Sequence, residues 1–154
     1  MSPLANFLRL LLAAGLGAAI GLERESRKKP AGLRTNILIA VGSALFTITS
    51  IQVAEIGGTP DRIAAGIVTG MGFLGGGAIL RSGISVKGMT TAATIWVNAA
   101  IGMAAGAGEP VMATLATLIT LIVLVVLAVL PSIEAFVDRR AGRTDLNDHV
   151  PRKM

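Results

Sequence analysis

The chain has 154 residues, of which 53% are hydrophobic and only 15% are charged. Soluble domains carry about 25% charged residues, so this composition predicts a chain that folds in lipid. Cysteine is absent and the single histidine is His149, which excludes disulfides, thiolate metal sites and cysteine nucleophiles. The net charge of +5 is compatible with nucleic-acid binding, but the positions of the basic residues favour loops of a membrane protein.

Five apolar stretches are long enough to cross a bilayer as helices, since a hydrocarbon core of about 30 Å needs about 20 residues. These predicted spans 1 to 5 cover residues 4–22, 35–54, 63–80, 89–108 and 111–130. Arg9 lies near the start of span 1, where a long side chain can reach the membrane surface. The predicted fold is an all-α five-helix membrane bundle over residues 1–131, followed by a polar, flexible cytoplasmic tail at 132–154.

The basic residues predict how the spans are oriented. A secretory signal carries its basic residues before the apolar run, whereas the cluster Arg24–Lys29 follows span 1. If the N-terminus lies outside, only Arg9 and Arg62 of the 14 Lys and Arg residues fall on the outer side. The excess of positive charge on cytoplasmic segments therefore predicts an outer N-terminus and a cytoplasmic C-terminus.

A shift of 56 residues aligns two parts of the chain without a gap, for example Gly21 with Gly77 and Thr35 with Thr91. Both parts read Gly-apolar-x-Thr at the start of a span, where the Thr is placed to accept from free backbone N–H groups. Two interpretations are open: a parallel repeat of helix pairs about an axis along the membrane normal, or chance matching of Gly/Ala-rich segments. Span 5 has no counterpart under either interpretation.

Small residues four positions apart let helices approach closely in lipid, where burial alone does not drive association. Spans 1, 3 and 4 contain such pairs, whereas the stretch Leu118–Leu127 of span 5 has no glycine and is apolar all round. We therefore predict a tight bundle of spans 1 to 4, with span 5 peripheral and facing lipid or a second subunit. The predicted helix-packing residues are Gly17, Gly21, Gly66, Gly70, Gly72, Gly75, Gly76, Gly77, Gly102 and Gly106.

The glycine-rich segment Gly70–Arg81 is the most unusual part of the sequence, because each glycine costs up to ~1 kcal/mol in a helix relative to alanine. One interpretation is a broken helix whose free backbone groups line an ion or ligand site. The other is a seam where two helix backbones touch. The recurrence of small residues at four-residue spacing favours the seam.

Polar residues near the cytoplasmic ends of the spans form a candidate functional cluster. Glu23 adjoins span 1 and Arg34 begins span 2, so we expect these two to pair, either as structure alone or as part of a cation or lipid-phosphate site. Asn98, at the middle of span 4, is expected to make an interhelical hydrogen bond. The full set is Glu23, Arg24, Glu25, Arg34, Thr35, Arg81, Lys87, Thr90, Thr91 and Asn98.

Five segments carry a family resemblance: Gly21–Glu25, Ala31–Thr35, Gly72–Arg81, Lys87–Trp96 and Ala100–Gly106. In order and spacing, over about residues 8–130, they resemble the MgtC/SapB family of bacterial inner-membrane proteins. The resemblance implies a five-helix bundle in the plasma membrane. It also implies a link to magnesium limitation, to survival inside host cells and to restraint of the F-type ATP synthase. We expect the chain to lack the soluble C-terminal domain of longer members, because only residues 131–154 follow span 5.

Two functions fit these observations. The first is a non-enzymatic modulator that binds another membrane complex or a second copy of the chain. The alternative is a transporter of Mg²⁺ or another cation, although Mg²⁺ prefers carboxylates and waters and no Asp or Glu lies in the central part of any span. We predict no enzymatic activity and no cofactor, since a histidine base, a metal-ligand cluster and a phosphate loop are missing. The predicted partners are membrane lipids and a membrane protein, not nucleic acid.

Overall fold

A computed structural model describes residues 2–82 and 85–129, and these residues form five α-helices and one antiparallel β-hairpin. The elements are α1 (Pro3–Ser26), α2 (Leu33–Glu55), α3 (Pro60–Gly77), β1 (Leu80–Ser82), β2 (Ser85–Lys87), α4 (Met89–Ala107) and α5 (Pro110–Val129). The all-α prediction is confirmed for the five helices, but the hairpin was not predicted. The predicted tail at 132–154 lies outside the described residues. The chain divides into two compact units, 1–121 and 122–154, and the packing below is that of the first.

Helix α1 is longer than predicted, because it continues past Leu22 to Ser26. It begins with Ser2 as N-cap, whose Oγ accepts from the backbone N of Ala5 at 3.2 Å, and with a proline in its first turn, where the missing N–H is not needed. The added residues Glu23–Ser26 favour helix, and their charge had marked them as loop in the sequence. The following turn places Ala31 at a φ of 56°, a left-handed conformation that non-glycine residues rarely adopt.

Helices α2 and α4 begin two residues or fewer from their predicted starts, but their threonines do not cap them. The N-caps are Gly32 and Gly88, neither of which supplies a side-chain cap. Thr35 and Thr91 are the third residues of their helices, so the predicted capping role is wrong. The helix starts Leu33 and Met89 are separated by 89 − 33 = 56 residues, which is the shift of the sequence alignment.

Helix α3 ends at Gly77, three residues before its predicted end. The run Gly75–Gly77 has poor helix propensity, and the chain then enters the hairpin, in which Leu80 pairs with Lys87 and Arg81 with Val86. Gly88 closes the hairpin at a φ of 93°. A Cβ there would overlap the carbonyl of Ala78, so the return of the chain to the end of α3 requires glycine.

Helix α2 is the centre of the first unit and packs against α1, α3 and α4, while α4 also contacts α1 and α3. The α2–α4 packing is parallel, with a constant offset of 62 residues at the Asn98 contact with Asn36. The same offset places Gly102 against Ala40. In the described residues 110–121 of α5, Ala113 and Thr117 are buried. These residues make no contact with another helix as extensive as the contacts among α1, α2, α3 and α4.

The distribution of polarity is inverted relative to a water-soluble protein. Polar side chains such as Asn36, Asn98 and Thr94 lie in the interior, whereas large apolar side chains such as Leu38 (71% exposed) and Phe73 (82% exposed) lie on the surface. By length and composition, α1 and α2 are able to cross a membrane, and the apolar part of α5, Pro110–Val126, is shorter. Membrane crossing by the other predicted spans stays a prediction.

Candidate functional site

The seam between α2 and α4 is closed by direct backbone contact. A Cβ added to Gly106 would lie 2.5 Å from the carbonyl oxygen of Ala44, and one added to Gly102 would overlap the carbonyl of Ala40. These distances leave no room for a methyl group, since real Cβ atoms stay outside about 3 Å of such neighbours. The α2–α4 seam is therefore a tight contact with no internal space along these residues.

Helix α1 closes the other side of α2 in the same way. A Cβ on Gly17 would lie 2.8 Å from the carbonyl oxygen of Asn36, and one on Gly21 would lie 2.7 Å from Cα of Leu33. The structure thus places four of the predicted packing glycines, Gly17, Gly21, Gly102 and Gly106, on the two sides of a single helix. Ala40 is completely buried between them.

A pair of asparagines lies at the end of this seam nearest the start of α2. Asn98 Nδ2 donates to the backbone carbonyl of Asn36 at 2.7 Å and contacts Asn36 Oδ1 at 3.2 Å. Asn36 Nδ2 donates in turn to the carbonyls of Ala31 and Gly32, which ties α4 to the turn before α2. Both asparagine side chains are 0% exposed. The arrangement joins α2 and α4 at one register.

The sequence analysis missed Asn36, although a signal was present. Asn36, Ala40 and Ala44 are spaced by four residues on α2, as are Asn98, Gly102 and Gly106 on α4. Superposing these two small-residue stripes places one asparagine opposite the other.

Two buried oxygens in this region accept no hydrogen bond from the described part of the chain: Asn98 Oδ1 and Ser43 Oγ. The neighbouring hydroxyls are bonded to their own helices, since Thr47 donates to the Ser43 carbonyl and Thr94 to the Thr90 carbonyl. Buried acceptors without partners are uncommon in native proteins, so these two atoms, within the described part of the bundle, are still able to accept a hydrogen bond.

The predicted Glu23–Arg34 pair is wrong. Glu23 instead binds the Nε atoms of Arg24 at 2.6 Å and of Arg27 at 2.7 Å. The reason is the extension of α1, which brings Arg27 one helical turn after Glu23 on the same face. Arg24 is only 3% exposed, so this carboxylate neutralises a buried cation.

The remaining members of the predicted polar cluster lie at the end of α1, at the starts of α2 and α4, and on the hairpin. Glu25 Oε2 accepts from the backbone N of Leu33 at 2.7 Å and so caps the start of α2 from the preceding helix. Arg34, Thr35 and Thr90 are exposed, and Thr91 is buried. Arg81 and Lys87 are exposed on the hairpin.

Most glycines of α3 face open space, contrary to the predicted seam. A Cβ on Gly66, Gly70, Gly72, Gly76 or Gly77 would meet nothing within 4 Å, and only Gly75 approaches another helix, 3.3 Å from the carbonyl of Ala92. The helix is also unbroken from Pro60 to Gly77, so neither sequence interpretation holds for the segment as a whole. The four-residue spacing of glycines alone cannot distinguish a glycine that packs against another helix from one that lies on the protein surface.

Three of these open positions, Gly66, Gly70 and Gly77, share one side of α3. Residues three, four and seven apart lie on the same face of a helix, so Gly66, Gly70, Phe73 and Gly77 form one stripe, called here the outward face of α3. Phe73, at its centre, is 82% exposed. Small residues around one large apolar side chain allow another helix to approach closely in lipid.

Arg9 also has a role that the sequence did not indicate. Its Nη1 donates to the carbonyl of Gly106 at 3.0 Å, where the C-terminal end of α4 carries partial negative charge. A Cβ on Gly108 would overlap the same guanidinium. Arg9 therefore stabilises the end of α4.

Among the described residues, no group of three or more His, Cys, Asp or Glu side chains is placed to hold a metal ion. The described carboxylates with partners, Glu23 and Glu25, are engaged by arginines and by a helix start. Any cation inside the bundle would have neutral oxygens such as Asn98 Oδ1 as its ligands.

Comparison with known proteins identifies relatives at high similarity. The MgtC family model matches residues 10–133. The chain is 51% identical over 102 residues to Protein MgtC of Salmonella typhimurium, covering 66% of this chain and 43% of the relative. It is 52% identical over 108 residues to the Putative magnesium transporter YhiD of Escherichia coli K12, covering 66% and 50%.

A third relative, the Uncharacterized protein slr0014 of Synechocystis, is 50% identical over 103 residues, covering 67% of this chain and 44% of the relative. The chain spans about half the length of the curated relatives that it matches. No solved structure matches. The resemblance that the sequence motifs indicated is confirmed, and the chain belongs to the MgtC family of membrane proteins.

Proposed function

We propose that this protein is a non-enzymatic modulator in the bacterial plasma membrane, which acts by binding another membrane-protein complex through the outward face of α3. The observation that carries this proposal is the contrast between a closed interior and an open glycine face. Gly17 and Gly21 of α1 and Gly102 and Gly106 of α4 lie against α2, while Gly66, Gly70 and Gly77 of α3 have no neighbour within 4 Å. Surfaces of this kind serve helix association in lipid.

The partner is proposed from the family. The magnesium-linked role and the restraint of the F-type ATP synthase that the family resemblance implies make that synthase the first complex to test. A second copy of this chain is the other partner that the outward face of α3 fits. As a further part of the proposal, α5 lies at the periphery of the bundle and the two helix pairs α1–α2 and α3–α4 form a parallel repeat.

The proposed membrane topology places the N-terminus outside and the C-terminus in the cytoplasm. Because the chain has no cysteine, single-cysteine variants can be labelled without changing any other residue. A membrane-impermeant maleimide should label Ser2→Cys in intact cells and Lys29→Cys only after permeabilisation. Labelling of Lys29→Cys in intact cells would contradict the proposed orientation.

The functional test uses two glycines whose Cβ positions are equally open. Gly70→Ile places a branched side chain on the outward face of α3, and Gly15→Ile places the same side chain on α1, where nothing lies within 4 Å. Gly70→Ile should abolish growth in low-magnesium medium in a strain that depends on this protein, at an unchanged amount of protein in the membrane. Gly15→Ile should support growth. Equal growth of the two variants would refute the proposal.

Passage of Mg²⁺ or another cation is the second candidate function. It is favoured by the two buried oxygens without partners, Asn98 Oδ1 and Ser43 Oγ, and by the printed name of the E. coli relative. Against it stand the closed α2–α4 seam and the preference of Mg²⁺ for carboxylate and water ligands. Purified protein in liposomes that contain a Mg²⁺-sensitive dye should show no uptake above protein-free liposomes. Uptake that Asn98→Ala abolishes would establish transport instead.

A further inference from the structure

A second surface of the molecule, which shares Phe73 and Gly77 with the outward face of α3, is a groove of about 690 Å³ between α2 and α3. Its α2 wall runs from Thr35 to Phe46, a distance of about 16 Å at 1.5 Å per residue. Its α3 wall runs from Met71 to Gly77 and continues to Ala78, the C-cap of α3. The groove is called here the α2–α3 groove.

The α2–α3 groove is lined almost entirely by apolar groups. Leu38 and Phe46 on α2 are 71% and 55% exposed, and Leu74 contributes from α3. In a bilayer, an apolar groove of this length on the side of a helix pair is filled by hydrocarbon, either from a lipid or from another helix. The charged residues at one end of the groove favour one of these two occupants, the lipid or the helix, over the other.

One end of the groove is marked by Thr35 on α2 and by Gly77 and Ala78 at the end of α3. Arg34 directly precedes Thr35 and is exposed. Arg34 lies in the first turn of α2, where the partial positive charge of the helix end disfavours another cation. The described residues show no salt bridge to Arg34, so an external anion is the group that would compensate its charge.

The hairpin adds basic charge at the same end. Its closing residue, Gly88, is in contact with the backbone of Ala78, which places the base of the hairpin beside the groove. Lys87 pairs with Leu80, and Arg81 pairs with Val86. Since directly paired residues share a face of a hairpin and successive residues alternate, Lys87 and Arg81 lie on opposite faces. Each face of the hairpin therefore carries one exposed cation.

We propose that the α2–α3 groove binds one anionic phospholipid, with an acyl chain along the apolar walls and the phosphate beside Arg34 and Lys87. Basic residues at the end of a groove between membrane helices are the feature that selects anionic headgroups. The apolar length selects a lipid over a free phosphate ion. This inference requires membrane insertion but does not depend on the proposed partner of α3.

Native mass spectrometry of the purified full chain, with equimolar phosphatidylglycerol and phosphatidylethanolamine of identical acyl chains, tests the proposal. We expect a preference for phosphatidylglycerol. Arg34→Gln should lower that preference about fivefold, and Lys87→Gln should lower it further, as expected for the loss of single surface cations. Lys29→Gln, which removes an exposed charge from the preceding turn, should leave the preference unchanged. Equal binding of the two lipids, or equal effects of Arg34→Gln and Lys29→Gln, would overturn the proposal.

A second pair of variants tests the groove itself. Gly42 lines the groove, and a Cβ there meets nothing within 4 Å, so Gly42→Leu extends a side chain into the groove and should unfold at the same temperature as the parent. Gly15→Leu is the matched control on α1, where space is also open. Gly42→Leu should reduce the binding of both lipids severalfold, and Gly15→Leu should not. Retention of phosphatidylglycerol by Gly42→Leu, or a protein helix crosslinked in the groove in place of lipid, would contradict the assignment.

Discussion

Two regions of this molecule use glycine at the same four-residue spacing with opposite results. On α4, Gly102 and Gly106 lie against the backbone of α2, and neither has room for a methyl group. On α3, Gly66 and Gly70 face open space. Glycines at this spacing predict a helix face without large side chains. Whether another helix already packs against that face depends on the arrangement of the neighbouring helices. The occupied face holds the fold together, and the open face remains for a partner.

The largest loss of stability is expected when isoleucine replaces a glycine on the occupied face, which is the side of α4 that packs against α2. Gly102→Ile should prevent the α2–α4 contact, because the isoleucine side chain would overlap the backbone of Ala40. Overpacking by single methylenes already costs about 1–3 kcal/mol, so we expect no folded protein in detergent extracts. Gly70→Ile should be extracted and should unfold like the parent. Thermal unfolding followed by circular dichroism compares the two, and similar unfolding temperatures would remove the distinction between the faces.

A smaller loss of stability is expected from breaking the ion pair between Glu23 and Arg24, near the end of α1. Glu23→Ala leaves a guanidinium that is 3% exposed without its nearest carboxylate, and loss of one partner of a buried pair costs about 3 kcal/mol. Glu55→Ala, at an exposed position of α2, is the control and should change the free energy of unfolding by less than about 0.5 kcal/mol. Equal effects of the two substitutions would show that the Glu23 pair does not stabilise the bundle.

The asparagine contact should contribute about 0.6–2 kcal/mol, the range for interhelical hydrogen bonds in membranes. Asn98→Ala removes both contacts of Asn98, whereas Asn36→Ala removes only the one at 3.2 Å and keeps the carbonyl that accepts at 2.7 Å. Asn36→Ala also removes the bonds of Asn36 to Ala31 and Gly32, which the cycle separates from the coupling. A double-mutant cycle should therefore give a coupling energy smaller than the cost of Asn98→Ala. A coupling equal to that cost would assign the contact to the two side chains alone.

The smallest effect is expected from alanine on the open face. Gly70→Ala meets no neighbour and gains helix propensity, worth up to ~1 kcal/mol, so the unfolding temperature should stay the same or rise slightly. Gly106→Ala should lower it. A decrease for Gly70→Ala would mean that a neighbour occupies the face in the isolated protein.

The family and the five helices could be predicted from the sequence, because apolar length and a specific set of motifs identify both. The end of α1 could not, since the charged residues Glu23–Ser26 are compatible with helix or with loop. The Glu23–Arg34 pair failed for the same reason, because a longer α1 offers Arg27 to Glu23 first. The hairpin has short strands of three residues, which give too little alternation to be recognised.

The candidate site was predicted only in part. Asn98 was expected to bind across helices, and the structure supplies Asn36 as its partner. Asn36 could be identified as this partner only once the alignment of α2 along α4 was known. That alignment depends on how the two helices pack and cannot be read from either segment alone. For α3, the direction of each glycine depended on which side of the helix α4 occupies, which local spacing does not contain.

Site-directed photocrosslinking tests most directly whether the open face of α3 binds a partner. A photoreactive residue is incorporated at Phe73, at the centre of that face, and at Leu11, an exposed position of α1 that is 57% accessible, and both are irradiated in native membranes. A discrete protein adduct should form at position 73, should be absent at position 11, and should disappear when Gly70→Ile is added. Adducts of equal yield at both positions, or none at position 73, would contradict the account.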